Sequence, residues 1–167
     1  MIILGIDPGT ASTGWGVVER EGSKLSSLGF GCIVTSAKHD TAARLQHIYR
    51  EVERLLRRFQ PDAVAIEELF VNVNVKTALA VGHARGVIIL AAATHGLVPC
   101  DYTPLAIKQS VTGYGRASKS QVQEMTKVIL GLDRIPQPDH AADALAVAIT
   151  HAHTDGGGLR AREVRRP

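Results

Sequence analysis

The stretch Ile2-Ile3-Leu4-Gly5-Ile6-Asp7-Pro8-Gly9 decides the architecture. Five residues without a charge run on without the alternation of a half-buried strand, and a turn signal follows at once. Such a run reads as a central strand covered on both faces, with Asp7 at its carboxyl end. The turn 9–13 leads into a second strand, 14–18, and a third follows at 25–34, where Gly29 and Gly31 mark a bulge or bend. Short connections make these three an antiparallel meander.

Beyond the meander the period changes. Ala42, Leu45, Ile48, Tyr49, Val52, Leu55, Leu56 and Phe59 recur at helical spacing, with Asp40 placed to cap the start and Pro61 to stop the chain. Ala63-Val64-Ala65-Ile66 is a fourth strand ending at Glu67-Glu68. A helix over 77–94 has apolar residues almost all round and is expected to lie deep, with Gly82 and Gly86 on one face. A fifth strand at 97–102 is followed by helices from Pro104, from Ser118 or Ser120, and from Pro138-Asp139 to about His153. Strand–helix–strand crossovers make the fourth and fifth strands parallel to the first. The expected fold is α/β: a mixed five-stranded sheet of three meander strands and two parallel strands, with helices on both faces.

The chain of 167 residues fits one domain, read as 1–154, followed by a Gly/Arg-rich tail at 155–167 expected to be disordered. A charged fraction of 21% against 45% hydrophobic residues excludes whole-chain disorder. The net charge of +3 lies mostly in the tail, so overall charge says little about a nucleic-acid partner. Cys32 and Cys100 match no metal-ligand spacing and read as buried, reduced thiols. The most apolar run, 86–93, is too short to cross a bilayer, and Asp7 breaks any signal-like start. A cytoplasmic protein with no membrane association is expected.

Three carboxylates stand where ligands gather in such a sheet. Asp7 and Glu67 end neighbouring strands, and Asp143 lies in the first turns of the last helix among Ala141, Ala142 and Ala144. Each has a plain reading as a turn, a solvated strand end or a surface charge. Together they form a set whose mutual repulsion a divalent cation would relieve. His140 and Asp139 precede Asp143 by three and four residues and share its helix face. His140 suits a ligand or a base, and Asp139 suits the helix N-terminus. From residue 69 to 123 the only acid is Asp101, against Lys76, Arg85, Lys108, Arg116 and Lys119. That composition fits a phosphate backbone as well as a solvated basic loop. Phe70, just past Glu67-Glu68, suits stacking on an unpaired base or a place in the core.

Taken in order, these motifs resemble the RuvC family of Holliday-junction resolvases. The likeness rests on Gly5-Ile6-Asp7-Pro8-Gly9 with Thr13-Gly14-Trp15-Gly16-Val17, then Ala65-Ile66-Glu67-Glu68 with Phe70, then Ala84-Arg85-Gly86-Val87, Lys108-Gln109 and Lys119-Ser120-Gln121-Val122. It closes with Asp139-His140-Ala141-Ala142-Asp143-Ala144-Leu145-Ala146 and spans nearly all of the chain before the tail. The resemblance implies an RNase H-like fold and a homodimer that binds four-way DNA junctions. It implies symmetric nicks leaving 5′-phosphate and 3′-hydroxyl ends, with Mg²⁺ or Mn²⁺, two ions per site. Branch-migration motor proteins are the implied partners. Asp7, Glu67 and Asp143 take the catalytic, metal-holding positions, with His140 in the fourth, where many members carry Asp. Lys108 and Lys119 take the place of DNA-contacting lysines, and Phe70 that of a base-stacking aromatic. Two rivals remain open at this stage. Ile6-Asp7-Pro8-Gly9-Thr10 also resembles the phosphate loop of actin-like and sugar-kinase ATPases, and a junction-binding module without cleavage would carry the same basic residues.

Overall fold

A computed structural model describes residues 1–68 and 75–155. The expected meander is β1 (Ile2–Asp7), β2 (Ser12–Glu21) and β3 (Lys24–Val34), followed by α1 (Thr41–Phe59), β4 (Ala63–Glu67), α2 (Val75–Thr94) and β5 (Cys100–Tyr102). Three helices close the chain: α3 (Pro104–Thr112), α4 (Lys119–Leu130) and α5 (Asp139–Asp155). The strands form one sheet in the order β3-β2-β1-β4-β5. β1 pairs antiparallel with β2 and parallel with β4, and β5 adds parallel to β4. This is the mixed sheet expected from the sequence. The bulge is there too: the β2–β3 register slips between Val17 and Val18, leaving Leu28 unmatched beside Gly29.

The sheet is sandwiched because its central strands are apolar on both faces. Ile3 and Ala65 pack with Ile107, Val111, Val122, Leu145 and Ile149 under α3, α4 and α5. Leu4, Ile6, Val64 and Ile66 pack on the other side with Ile48, Val52, Ala84 and Ile88 of α1 and α2. Asp40 caps α1 by accepting from Ala43 N at 2.8 Å. Thr103 and Ser118 cap α3 and α4, Ser118 within a capping box completed by Gln121.

Two expectations need correction. α2 does not lie deep. Ala84, Ile88, Ala91 and Ala92 are buried, but Leu79 and Leu90 remain 60% and 59% exposed. Hydropathy all round the helix, the basis of the deep reading, does not say that both sides are covered in one chain. Its segment Thr77–Thr94 is long and apolar enough to cross a membrane by length and composition, a longer stretch than the 86–93 run suggested. It packs instead along α1 as one layer of the sandwich. The second correction is that Cys32 and Cys100 are half-buried, since both stand on the edge strands of the sheet, β3 and β5. The tail beyond residue 155 and the connector holding Phe70, Asn72 and Asn74 lie outside the described residues.

Candidate active site

The site depends on how closely α5 approaches the sheet. A Cβ on Gly5 would stand 2.1 Å from the Ala144 carbonyl oxygen, and one on Gly14 would stand 1.9 Å from that of His140. On Gly16 it would meet the Leu145 side chain at 2.7 Å. Glycines on the sheet and alanines on the helix let backbone meet backbone. The helix is thereby seated with His140 and Asp143 over the end of β1. The sequence signal for this socket was present in Gly5, Gly14 and Gly16, but spacing alone did not tell contact glycines from turn glycines.

Asp7 ends β1, and the loop after it is held closed. Thr13, fully buried, donates from Oγ1 to the Gly9 carbonyl at 2.6 Å. His140 Nδ1 lies 2.6 Å from Asp7 Oδ2. Ligand atoms of Asp7, His140 and Asp143 all fall within 4.8 Å of one another. Glu67 is not in this tight set. It lines a cleft of about 270 Å³ with Lys108, Lys119 and Asp143, walled by Pro104, Ile107, Val122 and Ala146. Burial, together with the charges of Asp7 and Asp143, raises the Glu67 carboxyl from an ordinary 4.5 to about 7. Burial also raises Asp7, against the pull of its bond to His140.

Lys119, the first residue of α4, reaches into this acidic set. Its Nζ bonds Asp143 Oδ2 at 3.0 Å and stands 3.4 Å from Asp139 Oδ2. Burial pulls the Lys119 amine down, but Asp143 and Asp139 outweigh it and leave it raised. The Lys119 charge in turn holds Asp139 below its ordinary value. Asp139 opens α5 as the sequence suggested, yet it faces Lys119 rather than the Asp7 set.

The chemistry of the donors fits a divalent cation. Carboxylates and one imidazole converge, burial and the neighbouring charges of Asp7 and Asp143 raise the Glu67 carboxyl, and a lysine ammonium already sits among the acids. Of the residues expected to meet DNA, Lys108 lines the cleft and Arg116 is exposed in the loop between α3 and α4, three residues before Lys119. Arg85 is only 17% exposed and pairs with Asp101 at 2.6 Å, so its charge is engaged within the fold. Phe70 and the side chain of Lys76 lie outside the described residues.

Carboxylates at the ends of parallel strands, joined by one from a closing helix beside a cleft that also holds Lys108 and Lys119, define a nuclease of the RNase H-like class. Residues 3–151 match the profile of the family described as crossover junction endodeoxyribonuclease RuvC, and the chain belongs to that family. It is 57% identical to the crossover junction endodeoxyribonuclease RuvC of Alkaliphilus oremlandii over 92% of this chain and 94% of that one. A structure of Thermus thermophilus RuvC superposes with a TM-score of 0.89 at 40% identity, covering 95% of this chain and 97% of the other. A second, in complex with Holliday junction substrate, superposes at 0.88 with 38% identity, covering 95% and 97%. The chain is thus an endodeoxyribonuclease of the hydrolase class, and the ATPase reading is set aside.

Proposed function

We propose that the chain resolves four-way DNA junctions by paired, symmetric hydrolysis of phosphodiester bonds, with Asp7, Glu67, Asp143 and His140 holding two Mg²⁺ or Mn²⁺ ions. The observation that carries this reading is the convergence of Asp7, His140 and Asp143 within 4.8 Å beside a cleft shared by Glu67, Lys108 and Lys119. Bound ions would supply an activated water and neutralise the charge developing at phosphorus and at the leaving 3′ oxygen.

Each side chain then has a task. Asp7, fixed by the closed loop after β1, is the central ligand, and Glu67 and Asp143 flank it from β4 and α5. His140 orients Asp7 through Nδ1 and leaves Nε2 for a cation or a proton. Lys119 stabilises the acids before loading and is free to move to phosphate once cations replace it. Lys108, at the wall of the same cleft, positions the strand. Phe70 and Lys76 keep their expected roles in DNA contact, and Arg116 in the exposed loop adds a phosphate contact.

Two cuts related by symmetry require two such sites, so the working unit is a homodimer. Support comes from α2. Leu79 and Leu90 are exposed, and a Cβ on Gly82 or Gly86 would meet nothing within 4 Å, which leaves a close-approach face open. The tail at 155–167 adds salt-sensitive DNA affinity through its arginines. Branch-migration motor proteins and a cytoplasmic setting complete the reading. Incubation of a labelled four-way junction with and without Mg²⁺ tests it. Paired nicks with ligatable ends support it, and binding without cleavage would reduce the chain to a junction-binding module.

A further inference from the structure

A second cleft, on the other face of the catalytic loop, has no part in the chemistry above. It holds about 170 Å³ and is lined by Thr10, Thr41, Arg44, Leu79, Ala80 and His83. Topology places it at the catalytic edge. β1 and β3 both pair antiparallel with β2, so they run in the same direction, and Asp7, Gly14 and Cys32 stand side by side across the three strands. Thr35 and the start of α1 therefore emerge at the end of the sheet where Asp7 stands.

Arg44 is fixed there. Its Nε donates to Thr35 Oγ1 at 2.8 Å, and Thr35 Oγ1 donates to the Thr10 carbonyl at 2.5 Å. Thr35 N also donates to the Ala11 carbonyl at 3.0 Å. The guanidinium is held at one corner, and its two terminal nitrogens have no hydrogen-bond or ion-pair partner among the described residues. A guanidinium tethered at Nε with its fork open is arranged in advance for an oxyanion. No acid lines the cleft, and Asp40, close by in sequence, is engaged in capping α1. Lys38 and His39 precede it, and α1 has no acid in its first turn.

We infer that Arg44, with Thr10, Thr41 and His83, holds a backbone phosphate of the DNA. The strand edge is then gripped on both sides of the catalytic loop, by Lys108 and Lys119 on one face and by Arg44 on the other. The inference rests on the nuclease reading for the identity of the anion.

The test is the salt dependence of binding by the full chain to a four-way junction in EDTA, where no cleavage occurs, and to a plain duplex. One phosphate contact contributes about one to the slope of log affinity against log salt. Arg44→Gln is expected to lose about one from the slope and to bind about five- to tenfold more weakly near 0.1 M salt. Arg44→Lys keeps the charge and is expected to keep the slope, as is Arg54→Gln, a control on the exposed side of the same helix. A wild-type slope for Arg44→Gln overturns the inference. So does Arg44→Lys behaving like Arg44→Gln, which would make the bond to Thr35, a loop brace, the real function. A monomeric mass for Arg44→Gln by light scattering would also overturn it, by making dimerisation the cause. Failure of the wild type to cleave junctions would count against the nuclease reading, while the slope on plain duplex still decides the fate of the subsite.

Discussion

At the scale of single residues, the site is a place where charge is held against its own preference. Glu67 titrates near 7 because it is buried beside Asp7 and Asp143. A carboxyl raised above its unfolded value favours the fold only while protonated. Stability contributed at low pH is lost as pH climbs from 4.5 to about 7. Above that window the ionised Glu67 costs on the order of 3 kcal/mol at most. Glu67→Gln is therefore expected to raise the melting temperature of the metal-free protein at pH 8 by several degrees and to leave it unchanged near pH 4, as scanning calorimetry would read. An equal melting temperature at pH 8 would mean that Glu67 is not strained. Cleavage moves the other way: Asp7→Asn, Glu67→Gln and Asp143→Asn are each expected to abolish it while junction binding, measured by gel shift, persists. His140 adds a specific expectation. Imidazole suits Mn²⁺ better than Mg²⁺, so His140→Asp is expected to keep cleavage and improve the ratio of Mg²⁺ to Mn²⁺ activity, whereas His140→Ala loses most of it. Full activity of His140→Ala beside a dead Asp139→Asn would give the fourth position to Asp139.

At the scale of elements, the contact between α5 and the meander sets the geometry. Gly14→Ala places a methyl group against the His140 carbonyl. The helix has to lift, at a cost of about 1–3 kcal/mol for overpacking. The expected outcome is a lower melting temperature together with weaker binding of the metal alone, measured by calorimetry. Much of this layer was legible in the sequence. The unbroken apolar run before Asp7 specified a two-sided strand, short turns specified the meander, and Gly29 marked the bulge. The three carboxylates were singled out by their places at element ends, and the structure brings Asp7 and Asp143 together, with Glu67 across the adjoining cleft. What spacing could not give was which face of α2 is covered, because its apolar residues surround the helix. Nor could it give the partners of Lys119 and Arg85, because basic residues read alike in a sequence whether they face phosphate or Asp143 and Asp101.

At the scale of the whole molecule, the fold gathers helix N-termini at one edge. α1 follows β3, α2 follows β4 and α3 follows β5, each leaving the end of the sheet where Asp7 and Glu67 stand. α4 begins at Lys119 and α5 at Asp139, both beside Asp143. Positive helix ends collected along one edge favour a polyanion there, independent of its sequence. In the proposed dimer, the second copy meets the bare face of α2. Leu90→Glu is expected to give a monomeric mass by light scattering with the fold intact by circular dichroism, and to turn paired cuts into single nicks. Whether the acidic set at the end of β1 hydrolyses junction DNA with divalent metal comes down to one assay. A four-way junction labelled on each strand is incubated with wild type and with Asp7→Asn, in Mg²⁺ and in EDTA. Symmetric nicks on two strands are expected for wild type in Mg²⁺ alone, and bound but uncut junction in the other three reactions. Cleavage by Asp7→Asn at the wild-type rate, or cleavage that persists in EDTA, would contradict it.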